Sequence, residues 1–130
     1  MYLKRYIIAV SENEKPKLSV KFYKSPSGHE PVREWLSDPR QVKPQDRKTI
    51  GTDIKTVQYG WPMGMPIVRK LESDLWEVRS NVSVGISRVL FTIQENVMVL
   101  LHGFIKKQQK TPPDDLDVAR KRKAQLRGEK

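Results

Sequence analysis

Apolar and polar residues alternate from residue 18 to residue 23 (Leu-Ser-Val-Lys-Phe-Tyr), the period of a half-buried strand. Upstream, residues 6–10 are apolar and partly β-branched and predict an earlier strand, with the polar stretch Ser11–Lys17 as the turn between them. The period then changes. Pro31-Val-Arg-Glu-Trp-Leu36 reads as a short helix with proline at its first position, where the missing N–H would have no partner anyway; Asp38-Pro39 ends it. Ile50, Ile54 and Val57 recur at i, i+4 and i+7, so a second helix is predicted from about Pro44 to Tyr59, with Gly60 as its stop. Trp61-Pro-Met-Gly-Met-Pro66 is too rich in proline and glycine for regular structure and reads as a loop.

Three more strands follow. Leu75-Trp-Glu-Val-Arg79 alternates, residues 87–93 are rich in β-formers, and residues 97–105 are apolar at successive positions, as in a central strand covered on both faces. Asn81–Gly85 and Gln94–Asn96 supply the hairpin connections. A last helix is predicted with Thr111 as cap, Pro112 at its first position, and Asp114 and Asp115 at the positive end of its dipole. Its apolar stripe (Leu116, Ala119, Leu126) is thin, so most of it should face water or a partner. This order predicts a single α+β domain over 1–130, with two N-terminal helices, an antiparallel-rich sheet of four to five strands and a C-terminal helix.

At 130 residues the chain has the length of one domain. It has no cysteine, which excludes disulfides and thiolate metal sites and suits a reducing compartment. No apolar run approaches the roughly 18 residues of a membrane span. The apolar run at residues 6–10 is too short for a signal peptide. The expectation is a cytoplasmic protein with no membrane partner. Net charge adds a direction: +10, with Lys+Arg 25 against Asp+Glu 15. A small domain this basic usually faces a polyanion, and nucleic acid is the first candidate. The stretch from His102 to Lys130 carries half of the excess, which suggests a basic face.

Several segments together resemble a known family. They are Phe22-Tyr-Lys-Ser-Pro-Ser-Gly-His-Glu-Pro-Val32 with Trp35-Leu36, Leu75-Trp-Glu-Val-Arg79, Arg88-Val-Leu-Phe91, the run Leu100-Leu-His-Gly-Phe-Ile-Lys-Lys-Gln-Gln-Lys-Thr-Pro112, and Ala119. Over residues 20–126 the chain resembles the phage-related HigB branch of the RelE toxin superfamily, and the run from Leu100 to Pro112 is its most specific part. The resemblance implies the compact RelE-like fold and a type II toxin that enters the ribosome and cuts translated mRNA. It also implies a cognate antitoxin, often of helix-turn-helix type, as partner. Residues 1–17 extend beyond the family pattern and read as an N-terminal extension of open role.

Metal-free RNA cleavage uses the 2′-OH of one nucleotide against its own 3′-phosphate. It needs a base, positive charge for the crowded phosphorane and an acid for the leaving oxygen. No cofactor or metal is expected, since the two histidines, His29 and His102, have no ligand-like spacing. Arg79 and Arg88 are the leading catalytic candidates, because two guanidinium forks on neighbouring strands suit a phosphate. In the family, the arginine matching Arg88 is the phosphate-stabilising one. The plainer alternative is a wet cross-strand ion pair with Glu77, worth about 0–1 kcal/mol.

Lys106, Lys107 and Lys110 follow the central strand, placed either to hold RNA phosphates or, for Lys106 and Lys107, to transfer a proton. The alternative is a solvated basic edge. His102 is either an acid–base group or a hydrogen-bonded core histidine. Arg120, Lys121, Arg122 and Lys123 form a basic run on the last helix, read as RNA-binding or as merely solvated. Relatives place a tyrosine or histidine near the C-terminus as a catalytic partner; after Phe104 this chain has none. The general base therefore stays open among Lys106, Lys107, Glu77 and His102. Two other classes remain beside the nuclease: a superfamily relative aimed at DNA gyrase, and a non-catalytic basic RNA-binding module.

Overall fold

The computed structural model describes residues 15–106 and 111–128. In chain order these form β1 (Ser19–Phe22), α1 (Pro31–Ser37), α2 (Pro44–Gly60), β2 (Val68–Glu72), β3 (Leu75–Val82), β4 (Gly85–Gln94), β5 (Val97–Lys106) and α3 (Pro113–Leu126). The strand expected at residues 6–10 lies outside the described residues, as do Lys107 and Lys110.

Strands β2 to β5 run as an antiparallel meander, and β1 adds to β5 in parallel, so the sheet is mixed, in the order β1-β5-β4-β3-β2. This is the α+β architecture that the patterning predicts. The doubly apolar run of β5 is explained by its cover. Met98 and Leu100 point into a core with Val32, Ile50, Ile54 and Val57 from α1 and α2. Val99, Leu101 and Phe104 point the other way, toward Ala119 and Leu116 of α3. Each such side chain contributes about 1.5–3 kcal/mol through burial. Gly103 lets the Trp35 ring lie directly on β5: a Cβ there would come within 2.4 Å of the indole.

The turns show why the strands start where they do. Glu95 and Asn96 both take positive φ (51° and 65°), the two-residue turn whose twist matches a hairpin, and this sets the Gln94–Val97 register. The β3–β4 turn is held from below: Asp46, buried in the first turn of α2, accepts hydrogen bonds from the Ser83 N–H (3.1 Å) and hydroxyl (2.6 Å).

Three details depart from expectation. β2 is a strand that patterning does not reveal: Val68-Arg-Lys-Leu-Glu72 is short and charged, which suits an exposed sheet edge. Helix α3 begins one residue later, with Pro112 at the cap position and Pro113 at the first helical position. Thr111 does not cap it; its hydroxyl goes instead to Glu77. The loop 61–66 is irregular, as expected; Trp61 packs edge-on against Trp76 and Phe91, and Met65 is 62% exposed.

Candidate functional site

Side chains on a strand alternate between faces, so Leu75, Glu77 and Arg79 of β3 share the side of the sheet that carries α3. Register then gathers charge there. Arg79 lies directly opposite Arg88 on β4. Arg69 on β2 lies opposite Glu77. Arg88 in turn faces Phe104 on β5, and Lys106 stands two residues further along, opposite Ile86. Arg69, Glu77, Arg79, Arg88 and Lys106 thus lie on one face, contributed by four strands.

Glu77 is the centre of the group and is 0% exposed. Its Oε2 accepts from the Arg79 guanidinium at 3.3 Å, and its Oε1 accepts from the Thr111 hydroxyl at 2.9 Å. Thr111 therefore ties the start of α3 to the site. Arg88 is also 0% exposed. Burial pulls its guanidinium below the usual arginine value; the Glu77 carboxylate opposes this, and Arg79 and Arg69 reinforce it. The alternative of an ion pair with Glu77 on a wet surface does not hold for Arg79: the pair forms, but its two side chains are 0% and 11% exposed. A surface pair is worth little, but losing one partner of a buried pair leaves a charge without compensation. Three guanidiniums share this face with one carboxylate, and guanidinium forks side by side suit an anion. Arg69 is the member that sequence reading misses, because nothing in the β2 sequence reveals its register with Glu77.

His102 sits beside this group through an irregularity of β5. The β4–β5 register shifts between Leu90 and Phe91, which pair with His102 and Leu100 and leave Leu101 as the extra residue. Leu101 and His102 both turn toward α3. There the His102 Nε2 lies 2.7 Å from Asp115. Its Nδ1 is 3.5 Å from the Arg122 guanidinium, which also donates to the Leu101 carbonyl at 2.8 Å. Both ring nitrogens thus face α3 side chains.

The basic run of α3 is largely taken up by the fold. Arg120 grips Glu72 of β2 with both Nε and Nη2 and bridges to Asp117. That contact holds the Glu72 carboxyl below its usual range. The Lys123 ammonium donates to the Ser73 carbonyl, and Arg122 lies over the Tyr23 ring with its value lowered by burial. Lys121 remains exposed. The four side chains do not share one outward face. Lys106 is exposed at the end of β5, and Lys107 and Lys110 fall outside the described residues.

Among the described residues no three His, Asp or Glu side chains converge as metal ligands, and no helix is long and apolar enough to cross a membrane. No curated protein matches the chain. The sequence profile of a family described as phage-derived protein Gp49-like (DUF891) matches residues 37–124, a span that holds Arg69, Glu77, Arg79, Arg88 and Lys106. The chain therefore belongs to the phage-derived Gp49-like protein family, part of the RelE/HigB-like toxin superfamily.

Proposed function

We propose that this protein is a HigB-type toxin of a type II toxin–antitoxin pair, a ribosome-dependent endoribonuclease that cuts translated mRNA without a metal. The observation that carries the reading is the group of three arginines, Arg69, Arg79 and Arg88, around the single buried carboxylate of Glu77. In the reaction the 2′-oxygen bonds to the adjacent phosphorus, the bond from phosphorus to the 5′-oxygen breaks, and a 2′,3′-cyclic phosphate and a 5′-hydroxyl are left. Arg79 and Arg88 offset the charge on the pentacoordinate phosphorus. Arg69 holds the phosphate from the edge strand, and Glu77 keeps the guanidiniums together in the absence of RNA. Lys106, with Lys107 and Lys110 beyond it, holds the flanking backbone.

Among the acid–base candidates, Glu77 has both oxygens occupied and His102 has both nitrogens facing α3. Proton transfer accordingly falls to Lys106 or Lys107 in this reading. The cognate antitoxin, of helix-turn-helix type in this reading, supplies acidic groups to the same positive face and blocks it.

The test is translation of a defined mRNA in vitro with the purified protein, with ends mapped by primer extension. Discrete cuts that need ribosomes are expected. Arg88→Ala should lower the cutting rate about 10²–10³-fold, the usual cost of one charge-stabilising group. Arg88→Lys keeps the charge without the fork and should recover only part of the rate. Intact mRNA with folded protein would end the nuclease reading. A non-catalytic RNA-binding module would then be favoured by the engagement of both Glu77 and His102 within the fold.

A further inference from the structure

The side of the sheet away from the arginine group carries α2, and the outer surface of that helix is built in one sign. Lys43, Arg47, Lys48 and Lys55 are exposed along it. The helix has two acids, Asp46 and Asp53, and both are buried. Among the described residues none of these four cations takes part in an ion pair, unlike Arg33, Arg40, Arg79, Arg120 and Arg127 elsewhere. At 100° per residue, Arg47, Lys48 and Lys55 fall within about 100° of one another around the axis, over a length of about 12 Å.

Gly51 stands in the middle of that stripe. It lies inside a 17-residue helix, and a Cβ there would meet nothing within 4 Å. The fold has no packing use for this glycine, and alanine would favour the helix by about 0.5–1 kcal/mol. A glycine flanked by cations on an open surface lets another backbone approach the helix closely.

From this we infer that the outer face of α2 is a second RNA-binding surface, which takes the phosphate backbone of structured RNA while the arginine group on the opposite face takes the strand to be cut. A protein partner fits less well. Protein interfaces are depleted in lysine and anchored by aromatic or large apolar side chains, whereas this stripe consists of Lys, Arg, Gly and Thr, with Thr52 beside it. The inference rests on the reading that the protein works on RNA, but not on its cutting any.

The test uses the full chain and a hairpin RNA of about 20 base pairs as probe, with binding followed by fluorescence anisotropy across a salt series. Each phosphate contact adds about 0.7–0.9 to the slope of log affinity against log salt. The variant Arg47→Gln/Lys48→Gln/Lys55→Gln should bind the hairpin more weakly, with the slope reduced by about two to three. Gly51→Gln should weaken binding without changing net charge, while thermal melting reports that the helix is intact. The hairpin assay reads binding without strand scission, so failure of the nuclease reading and failure of this one are told apart: a protein that cuts no mRNA but binds the hairpin through α2 refutes the first alone. An unchanged slope in the triple variant overturns the inference. So does loss of binding to polyglutamate alone, which would make the face a site for an acidic protein.

Discussion

Glu77→Gln is the most informative single change in the arginine group. The substitution keeps the volume and keeps an oxygen for the Thr111 hydroxyl, but removes the carboxylate that holds Arg79 at 3.3 Å. Arg88, fully buried, loses a carboxylate that favours its charged form as well. Removing one member of a buried charged pair costs about 3–5 kcal/mol, and the low end applies here because the neutral amide still accepts a hydrogen bond. A loss of about 3 kcal/mol is expected. With about 2.1 cal/mol/K of unfolding entropy per residue, it lowers the Tm by roughly 11 °C.

The variant also has a larger surplus of positive charge, so inorganic phosphate should restore more stability to it than to the wild type. A recovery of about 2.7 kcal/mol corresponds to phosphate at a hundred times its Kd. The assay is thermal and urea melting of both proteins across a phosphate series, with Thr111→Val as the control that removes the hydrogen bond and keeps the charge. A variant within about 0.5 kcal/mol of wild type would refute the counter-ion role of Glu77, since that is the scatter of an ordinary surface change. A destabilised variant indifferent to phosphate would show that the cost lies in packing.

Three further outcomes are expected. Gly103→Ala should destabilise by about 1–3 kcal/mol in urea melts, because the new methyl would meet the Trp35 ring at 2.4 Å, and Trp35→Leu should relieve part of that cost. Asp46→Ala removes two hydrogen bonds to a carboxylate from the exposed Ser83, whose N–H and hydroxyl then turn to water; a cost of about 1–3 kcal/mol is expected, measured the same way, with faster amide exchange in the β3–β4 turn. Arg120 lowers the Glu72 carboxyl, so the folded form binds that proton less readily than the unfolded chain. The stability from this contact is full above the ordinary Glu value of about 4.3 and is lost as pH falls through the lower folded value. The Tm difference between wild type and Glu72→Gln should therefore be constant at neutral pH and close on acidification. A gap that widens toward acid would reverse the assigned sign.

Much of the architecture is legible in the chain because it rests on local periodicity. The stripe Ile50, Ile54, Val57 and the stop at Gly60 delimit α2, and the doubly apolar run of residues 97–105 announces a central strand before any contact is known. The strong positive charge, and the placing of Arg79 and Arg88 on neighbouring strands, are legible there as well. Tertiary structure decided the rest. β2 carries too few apolar residues to show itself, and only its pairing with β3 brings Arg69 to Glu77. Thr111 has a sequence role as a helix cap, yet it serves a carboxylate 34 positions away. A one-residue shift in the β4–β5 register turns His102 toward Asp115. Glu77 and Arg88 are fully buried although both are charged, and half of the basic run on α3 is spent on holding β2 and the turn after it. Periodicity is a property of neighbours along the chain, whereas register, burial and ion pairing depend on segments that meet only after the chain has folded.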